Sequence, residues 1–427
     1  EVSWARDVYK RQGTAVEKIG SGTKGYRLLF VEQSQVSRQE KPVGTRVVQE
    51  ITTEAQVESY KYDSINLMIS YTREKTENEK AAHRHWESGD LVVTSVPHWM
   101  QVIGNTNCNI RCPFCFAWNE ITRPRDQHTD LTDQAVRSLT EFISRGTCIV
   151  DMFGGGEILL SPAFWQFLKV FDRSRLESFG ILSNFVAELQ DVELLAEKLD
   201  YLKISIAGAS PEIYEQLMRG AKWDRLMANI RAVREAGLDT LWLIFILHRS
   251  NRHQIRQIMD LSEKLGVEHL LFKQLDRGPN QEWYERENVA AEAESLAEEV
   301  NRLKTDYSFT VYSDLEHGGS GLLVFMDSVD EAIRRGYVCK SPWHSLESHL
   351  DGKIFPCCYN MQVQYGNINT SSPEEIWNGQ VIRQFRKDLL ELKYRERGCA
   401  PQCPDLALQL KHGGETIVVD GIARKKD

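Results

Sequence analysis

Three cysteines have the residue type and spacing to do redox chemistry. Cys108, Cys112 and Cys115 form a C-x3-C-x2-C pattern directly after a short apolar run. They would supply three of the four thiolates that a cubane iron–sulfur cluster usually takes, which leaves one iron open to bind and activate another molecule. A structural zinc site normally has four protein ligands, and buried free thiols are the other alternative. The polar loop, with Asn107 and Arg111, makes a core of thiols the weaker interpretation.

This loop resembles that of the radical S-adenosylmethionine (SAM) enzymes, in which an aromatic residue precedes the last cysteine. Phe114 occupies that place. The resemblance implies a SAM-binding [4Fe–4S] cluster on Cys108, Cys112 and Cys115, with Phe114 beside the cofactor. Such a cluster cleaves SAM reductively to a 5′-deoxyadenosyl radical, which abstracts hydrogen from a substrate.

The stretch from residue 98 to about 275 has the rhythm of repeated βα units and predicts an α/β fold. The six expected strands are 99–104, 148–153, 179–183, 201–206, 240–247 and 269–273, and the six expected helices are 131–145, 162–172, 189–199, 211–218, 224–236 and 253–265. Six such units resemble the partial (β/α)6 TIM-like barrel of the radical SAM core, whose active site lies at the carboxyl ends of the strands. Cys148 lies inside a strand run and is expected to be a packed core thiol.

A glycine-rich turn follows the second expected strand. Gly154, Gly155 and Gly156 precede Glu157. Glycines let the backbone approach a ligand closely, and their amide and carbonyl groups can hold an ammonium or a carboxylate. The turn looks like the GGE motif of the family, whose backbone binds the methionine amino group of SAM. A plain βα turn is the alternative.

Two more strand ends carry polar residues where the family binds SAM. By resemblance, Ser183 and Asn184 would lie near the ribose, and Ser205 and Arg219 would approach the SAM carboxylate, which suits the fork of an Arg side chain. A Ser that caps the next helix and an Arg that closes a helix explain the last two equally well. The common Asp of the family after the fourth strand is Ala207 here, so any role of that Asp is in doubt.

A second group of cysteines lies towards the C-terminal end of the chain. Asp351-Gly352 between apolar residues predicts a β-hairpin. The Gly-x4-Cys spacing that starts at Gly352 resembles the SPASM/twitch extension of radical SAM proteins. The resemblance implies one auxiliary [4Fe–4S] cluster, as in the shorter twitch version, on Cys339, Cys357, Cys399 and Cys403.

Two alternatives remain open for these cysteines. Cys358 can replace its neighbour Cys357 as a ligand, and two separated cysteine pairs also suit the tetrahedral zinc of a zinc ribbon.

The pattern divides the chain into four parts: an N-terminal extension at 1–97, a radical SAM core at 98–275, a bridging segment at 276–337 and a cluster domain with its tail at 338–427. In the extension, whose role is open, short strands are expected at 26–31, 46–52 and 64–71, and a solvated helix or linker at 72–90. His83 and His85 in that helix are more simply exposed histidines than metal ligands.

Composition excludes several classes of protein. The chain has 427 residues and a formal charge of −9, which argues against a general nucleic-acid binder. It has no run of about 18 apolar residues and no signal-peptide pattern, so no membrane association and a cytoplasmic location are expected. Nine cysteines in a cytosolic chain favour metal binding over disulfides.

Together these features predict a radical SAM oxidoreductase that performs a two-electron oxidation, with the auxiliary cluster accepting an electron. The expected partners are a small-molecule or peptide substrate and a flavodoxin- or ferredoxin-type electron donor. The alternatives are modification of a ribosomally made peptide by epimerisation or crosslinking, with Cys358 as a hydrogen-atom donor for epimerisation, and a non-catalytic electron-transfer protein.

Overall fold

The computed structural model describes residues 14–18, 26–30, 46–51, 76–122, 124–315, 327–357, 359–360 and 362–412. The chain forms two compact units, Glu1–Glu77 and Asn78–Asp427. In the first unit, β1 (Thr14–Lys18), β2 (Tyr26–Phe30) and β3 (Arg46–Ile51) form an antiparallel sheet in that order. The strands expected at 26–31 and 46–52 are confirmed, β1 was not expected, and the strand expected at 64–71 lies outside the described residues.

A ten-stranded sheet organises the second unit, in the order β10-β9-β8-β7-β6-β5-β4-β11-β12-β13. The strands from β10 to β11 in that order are parallel, whereas β12 and β13 pair antiparallel. Their bounds are Trp99–Ile103 (β4), Ile149–Phe153 (β5), Ser178–Ser183 (β6), Tyr201–Ile206 (β7), Thr240–Leu247 (β8), His269–Gln274 (β9), Thr310–Ser313 (β10), Ser345–Ser348 (β11), Lys353–Phe355 (β12) and Gly366–Asn367 (β13).

Helices follow these strands along the chain. The described helices are Glu77–Ser88 (α1), Trp118–Ile121 (α2), Asp133–Arg145 (α3), Pro162–Val170 (α4), Val192–Lys198 (α5), Pro211–Leu217 (α6), Trp223–Glu235 (α7), Ile255–Lys264 (α8), Gln281–Glu287 (α9), Ala293–Leu303 (α10), Ser328–Arg335 (α11), Ser341–His344 (α12), Pro373–Asn378 (α13), Gln380–Leu390 (α14) and Pro404–His412 (α15). The six βα units from β4 to β9 confirm the predicted partial barrel. None of the described helices is long and apolar enough to cross a membrane.

Alternation along the strands separates an apolar face from a polar one. Val150 and Met152 of β5 join helix residues such as Phe142 in one hydrophobic core. Asp151 between them is buried and accepts hydrogen bonds from the side chains of Trp99, at 3.3 Å, and Tyr201. Lys203 completes this group, with Nζ 3.3 Å from an Asp151 carboxylate oxygen. The face away from the helix core therefore carries a satisfied polar network.

The parallel part of the sheet contains more strands than the six expected. Residues 276–337, expected to be a bridge, supply β10, which pairs parallel with β9. At the other edge β11 pairs parallel with β4, from Ser345↔Trp99 to Ser348↔Val102. The predicted turn between β11 and β12 is confirmed, since Asp351 and Gly352 have φ angles of 68° and 75°. Through β11, the C-terminal part of the chain joins the strand that leads into the three-cysteine loop.

Helix α1 corrects the expectation of a solvated segment at 72–90. Trp86 is buried, and its indole nitrogen donates a hydrogen bond to the carbonyl of Val338 at 3.0 Å. One face of α1 therefore packs on the C-terminal part of the chain. His85 pairs with Asp90 at 2.7 Å, and His83 lies 3.5 Å from Glu87. Both side chains are half-buried, whereas exposed histidines were expected.

Candidate functional site

The three-cysteine loop follows the carboxyl end of β4. Cys112 is buried, and Cys108 and Cys115 are half-buried. The Arg111 side chain braces the loop by donating to the carbonyl oxygens of Cys108, at 2.6 Å, and Ile110, at 2.8 Å. The amide of Arg111 donates to the Arg219 carbonyl at 2.7 Å, which ties the loop to the segment after α6.

The electrostatics of these thiols fit an iron–sulfur cluster. Burial raises the pKa of Cys108 to about 12, and it raises the pKa of Cys112, to which Cys115 and Cys108 also contribute by charge repulsion. The three sulfurs are therefore close enough to affect one another's ionisation. Buried thiolates are shielded from water and need a nearby positive charge for stability. The iron atoms of a cluster supply that charge. Cys108, Cys112 and Cys115 would hold the SAM-binding cluster, and this assignment remains a prediction.

The glycine-rich turn after β5 packs directly on the three-cysteine loop. The amides of Gly156 and Glu157 donate to the carbonyls of Asn105, at 2.9 Å, and Asn107, at 2.7 Å. A Cβ atom on Gly156 would lie 1.9 Å from the Asn107 oxygen, and one on Gly154 would lie 2.5 Å from the Gly156 oxygen. Only glycine fits at these two positions, because Gly156 touches the backbone of the three-cysteine loop and Gly154 touches the backbone of its own turn. The predicted role at the SAM amino group is compatible with this closeness and stays a prediction.

Glu157 holds the end of the next strand in place. Its buried carboxylate accepts hydrogen bonds from the Ser183 hydroxyl (2.6 Å), the Asn184 amide (2.8 Å) and the Leu159 amide (3.1 Å). Burial raises the pKa of Glu157, and the three donors oppose that rise. Glu157 and the Ser183 hydroxyl therefore connect the ends of β5 and β6. Ser183 was expected near the SAM ribose. Its hydroxyl is engaged within the protein, since it donates to Glu157 and accepts from the Phe185 backbone amide at 2.8 Å.

Replacing Glu157 by Gln is expected to lower the free energy of unfolding by about 1–3 kcal/mol, because a buried amide NH2 would face another donor. Chemical denaturation of the iron-free protein measures this loss. The exposed Glu298 in the middle of α10 provides a matched control, since Glu298→Gln removes a surface charge away from the helix ends. Equal stability of Glu157→Gln and the unaltered protein would contradict the proposed connection.

Asn184, another predicted SAM contact, lies beside a cysteine of the loop. Its side-chain nitrogen lies 3.7 Å from Sγ of Cys108 and 3.0 Å from Oδ1 of Asn109. Ser205 is half-buried on β7. Arg219 is exposed, and its guanidinium lies 5.4 Å from the centre of the Trp283 ring. The roles of Ser205 and Arg219 at the SAM carboxylate stay predictions.

His248 is a candidate residue that the sequence analysis missed. It follows β8, and its ring centre lies 4.5 Å from that of Phe114 in an edge-to-face arrangement. Burial lowers the pKa of His248 to about 4, so the imidazole is neutral at pH 7. Neither ring nitrogen has a hydrogen-bond partner within the described part of the chain. A polar residue directly after a continuous apolar strand run was the signal for it, since barrel sites lie at strand ends.

The four C-terminal cysteines of the predicted auxiliary site line one cavity. Cys339 lies between α11 and α12, Cys357 follows β12, and Cys399 and Cys403 follow α14. Burial raises the pKa of Cys339 and Cys403, and raises that of Cys399 to about 12. This set of thiols fits a cationic cluster, for which the four would be the ligands.

No three His, Cys, Asp or Glu side chains among the described residues converge as ligands of one metal ion. Thiolates at the corners of a cubane stand further apart than the ligands of a single ion. The competing ligand Cys358 lies outside the described residues. Cys148, by contrast, is buried at the start of β5 with its thiol donating to the Gly146 carbonyl at 3.2 Å, as a core thiol.

A barrel with a three-cysteine loop at its carboxyl end and a cysteine-lined domain on its edge defines an iron–sulfur enzyme of the radical SAM class. The family model "Radical SAM superfamily" matches residues 102–262, and "SPASM: Iron-sulfur cluster-binding domain" matches residues 339–404. Residues 102–262 therefore form a radical SAM domain, and residues 339–404 form a SPASM domain. These domains imply a SAM-binding [4Fe–4S] cluster, an auxiliary [4Fe–4S] cluster and SAM itself.

Relatives with curated functions match the core. The PqqA peptide cyclase of Methylorubrum extorquens is 30% identical over 166 residues, which is 38% of this chain and 42% of that protein. The GTP 3′,8-cyclase of Hydrogenovibrio crunogenus is 24% identical over 178 residues, which is 40% of this chain and 52% of that protein. The chain thus spans about half the length of the curated relatives it matches.

A solved structure matches over a longer stretch. Streptococcus suis SuiB bound to its precursor peptide SuiA has a TM-score of 0.55 and 15% identity, covering 79% of this chain and 83% of that one. At this identity the likeness shows the shared fold.

Proposed function

We propose that this protein oxidises its substrate by two electrons, using a SAM-derived radical for hydrogen abstraction and the auxiliary cluster as electron acceptor. The observation that carries the proposal is the cavity lined by Cys339, Cys357, Cys399 and Cys403. Four cysteine ligands leave no iron vacant for substrate, so electron transfer is the work such a cluster can do.

The proposed reaction would remove two hydrogen atoms from the substrate. When bound, SAM and its cluster supply a 5′-deoxyadenosyl radical, which takes one hydrogen atom from a substrate C–H bond. Held by Cys339, Cys357, Cys399 and Cys403, the auxiliary cluster would accept one electron from the substrate radical. Solvent water would take the proton, so the product would lack two hydrogens. A flavodoxin- or ferredoxin-type protein would supply the electron for SAM cleavage.

The chain's own residues position these groups. The contact between the glycine-rich turn and the three-cysteine loop would position SAM beside the cluster. Glu157 connects that turn to Ser183 and Asn184 at the end of β6. Phe114 and the neutral His248 pack edge to face beside the last cysteine of the loop.

We propose a peptide as the substrate class. The names of two relatives, PqqA peptide cyclase and SuiB with its precursor peptide, support this choice over a small molecule. Phe116, directly after Cys115, leaves 51% of its surface exposed beside the predicted cluster. An exposed aromatic ring at that place offers an apolar contact for a peptide side chain.

The cytoplasmic location remains a prediction.

Two alternatives differ in what they require. Epimerisation needs a thiol hydrogen donor, and the candidate Cys358 lies outside the described residues. A non-catalytic electron carrier needs no SAM-cleaving loop, whereas this chain has a radical SAM core that matches enzymes.

Mass spectrometry in deuterated water separates these functions. The protein, reconstituted anaerobically with iron and sulfide, is incubated with SAM, a reductant and a library of synthetic peptides. We expect 5′-deoxyadenosine and a peptide product that has lost two hydrogens. A peptide that gains one solvent deuterium without losing mass would establish epimerisation instead. If protein that contains both clusters released no 5′-deoxyadenosine, the proposal that it is a radical SAM enzyme would be refuted.

A further inference from the structure

Two side-chain amides donate hydrogen bonds to cysteine sulfurs of the auxiliary cavity. Nδ2 of Asn360 lies 3.6 Å from Sγ of Cys399, and Nε2 of Gln409 lies 3.6 Å from Sγ of Cys339. The two sulfurs belong to different segments of the chain, so the two contacts are independent of each other.

The backbone fixes the orientation of the Asn360 amide. Its NH2 group also donates to the Arg397 carbonyl at 2.8 Å, while its oxygen accepts from the Gln362 amide at 3.1 Å. Exchanging the nitrogen and the oxygen would set oxygen against oxygen and donor against donor. Asn360 is buried, and its backbone amide donates to the Cys357 carbonyl at 3.2 Å. The NH2 group is therefore held towards the cavity.

The Gln409 amide is fixed in the same way. Its oxygen accepts from the Lys340 amide at 2.8 Å, so its nitrogen faces Sγ of Cys339 and Oγ of Ser341, which is 3.4 Å away. Ser341 itself lies 3.4 Å from the same sulfur. Cys339 is thus surrounded by donors once its thiol proton is lost.

We propose that Asn360 and Gln409 raise the reduction potential of the auxiliary cluster by donating N–H hydrogen bonds to the sulfurs of Cys399 and Cys339. Reduction adds one negative charge to a cluster, and part of it resides on the ligand sulfurs. Donors therefore stabilise the reduced form more than the oxidised form. A higher potential suits a cluster that must take an electron from a substrate radical, so this inference rests on the proposed function.

The test replaces each amide with an apolar side chain of similar size. Asn360→Leu and Gln409→Met are each expected to make reduction of the auxiliary cluster about tenfold less favourable, a fall of about 59 mV for one electron. The two effects should add in the double variant, because the contacts lie on different sulfurs. Redox titration followed by electron paramagnetic resonance, without SAM or peptide, gives the potentials of both clusters.

Two internal controls make the result specific. The SAM-binding cluster should keep its potential in each variant. Gln364 lies with Asn360 in the connection between β12 and β13, and its exposed amide donates to the Gly366 carbonyl. Gln364→Met should leave both potentials unchanged. Iron content establishes that the auxiliary cluster is present, and if Asn360→Leu fails to load it, Gln409→Met decides. An unchanged auxiliary potential in a fully loaded Gln409→Met variant would overturn the proposal. Because no substrate is present, this outcome is independent of whether the enzyme oxidises a peptide.

Discussion

Replacing Cys108, Cys112 and Cys115 together by Ala is expected to remove about four irons per chain and to reduce SAM cleavage to background. The auxiliary cavity lies elsewhere in the fold, so its cluster should remain. The half-buried loop is held by Arg111 and by contacts to the glycine-rich turn, which do not use the sulfur atoms. The variant should therefore fold. Iron analysis and 5′-deoxyadenosine release under reductant measure the two effects.

Cys148→Ala is the matched control for that variant. Its thiol is buried at the start of β5 and donates to the Gly146 carbonyl, away from both sets of cysteines. It should keep all its iron and its SAM cleavage. Full cleavage activity in the triple variant would remove the assignment of Cys108, Cys112 and Cys115 as the catalytic cluster ligands.

The barrel strands could be predicted because each is a short apolar run with clear ends. The strands expected at 201–206 and 240–247 have the same bounds in the structure. The number of strands in the parallel sheet could not be predicted, because the residues of a strand do not specify which other strand it pairs with. Thr310–Ser313 and Ser345–Ser348 are short, and both add to the sheet through partners that are distant in sequence.

In the site, cysteine spacing and glycine were informative because few residues can replace them. The 1.9 Å clearance at Gly156 shows how strict that requirement is. Polar residues were less informative. The Ser183 hydroxyl is held by Glu157, and the amides of Asn360 and Gln409 reach cysteines 39 and 70 residues away. Such contacts depend on the tertiary fold, so the local sequence does not predict them.

Loss of the auxiliary cluster is expected to separate the two halves of the reaction. In the double variant Cys399→Ala and Cys403→Ala, the cavity keeps only Cys339 and Cys357 from its four lining cysteines, too few to hold a cubane. SAM cleavage should continue within a few-fold of the unaltered protein, because the SAM-binding cluster is intact. Oxidation of a peptide that the unaltered protein converts should fall to background, because the substrate radical has no electron acceptor.

The two products, 5′-deoxyadenosine and the oxidised peptide, are measured in the same assay. Continued 5′-deoxyadenosine release shows that the barrel of the double variant is folded, so the missing oxidation cannot be attributed to global unfolding. Spectroscopy should show one cluster in the double variant and two in the Cys148→Ala control. If the double variant lacks the auxiliary cluster and still forms the product that has lost two hydrogens, the auxiliary cluster is not the electron acceptor. The electron would then leave the substrate radical by another route, such as return to the SAM-binding cluster.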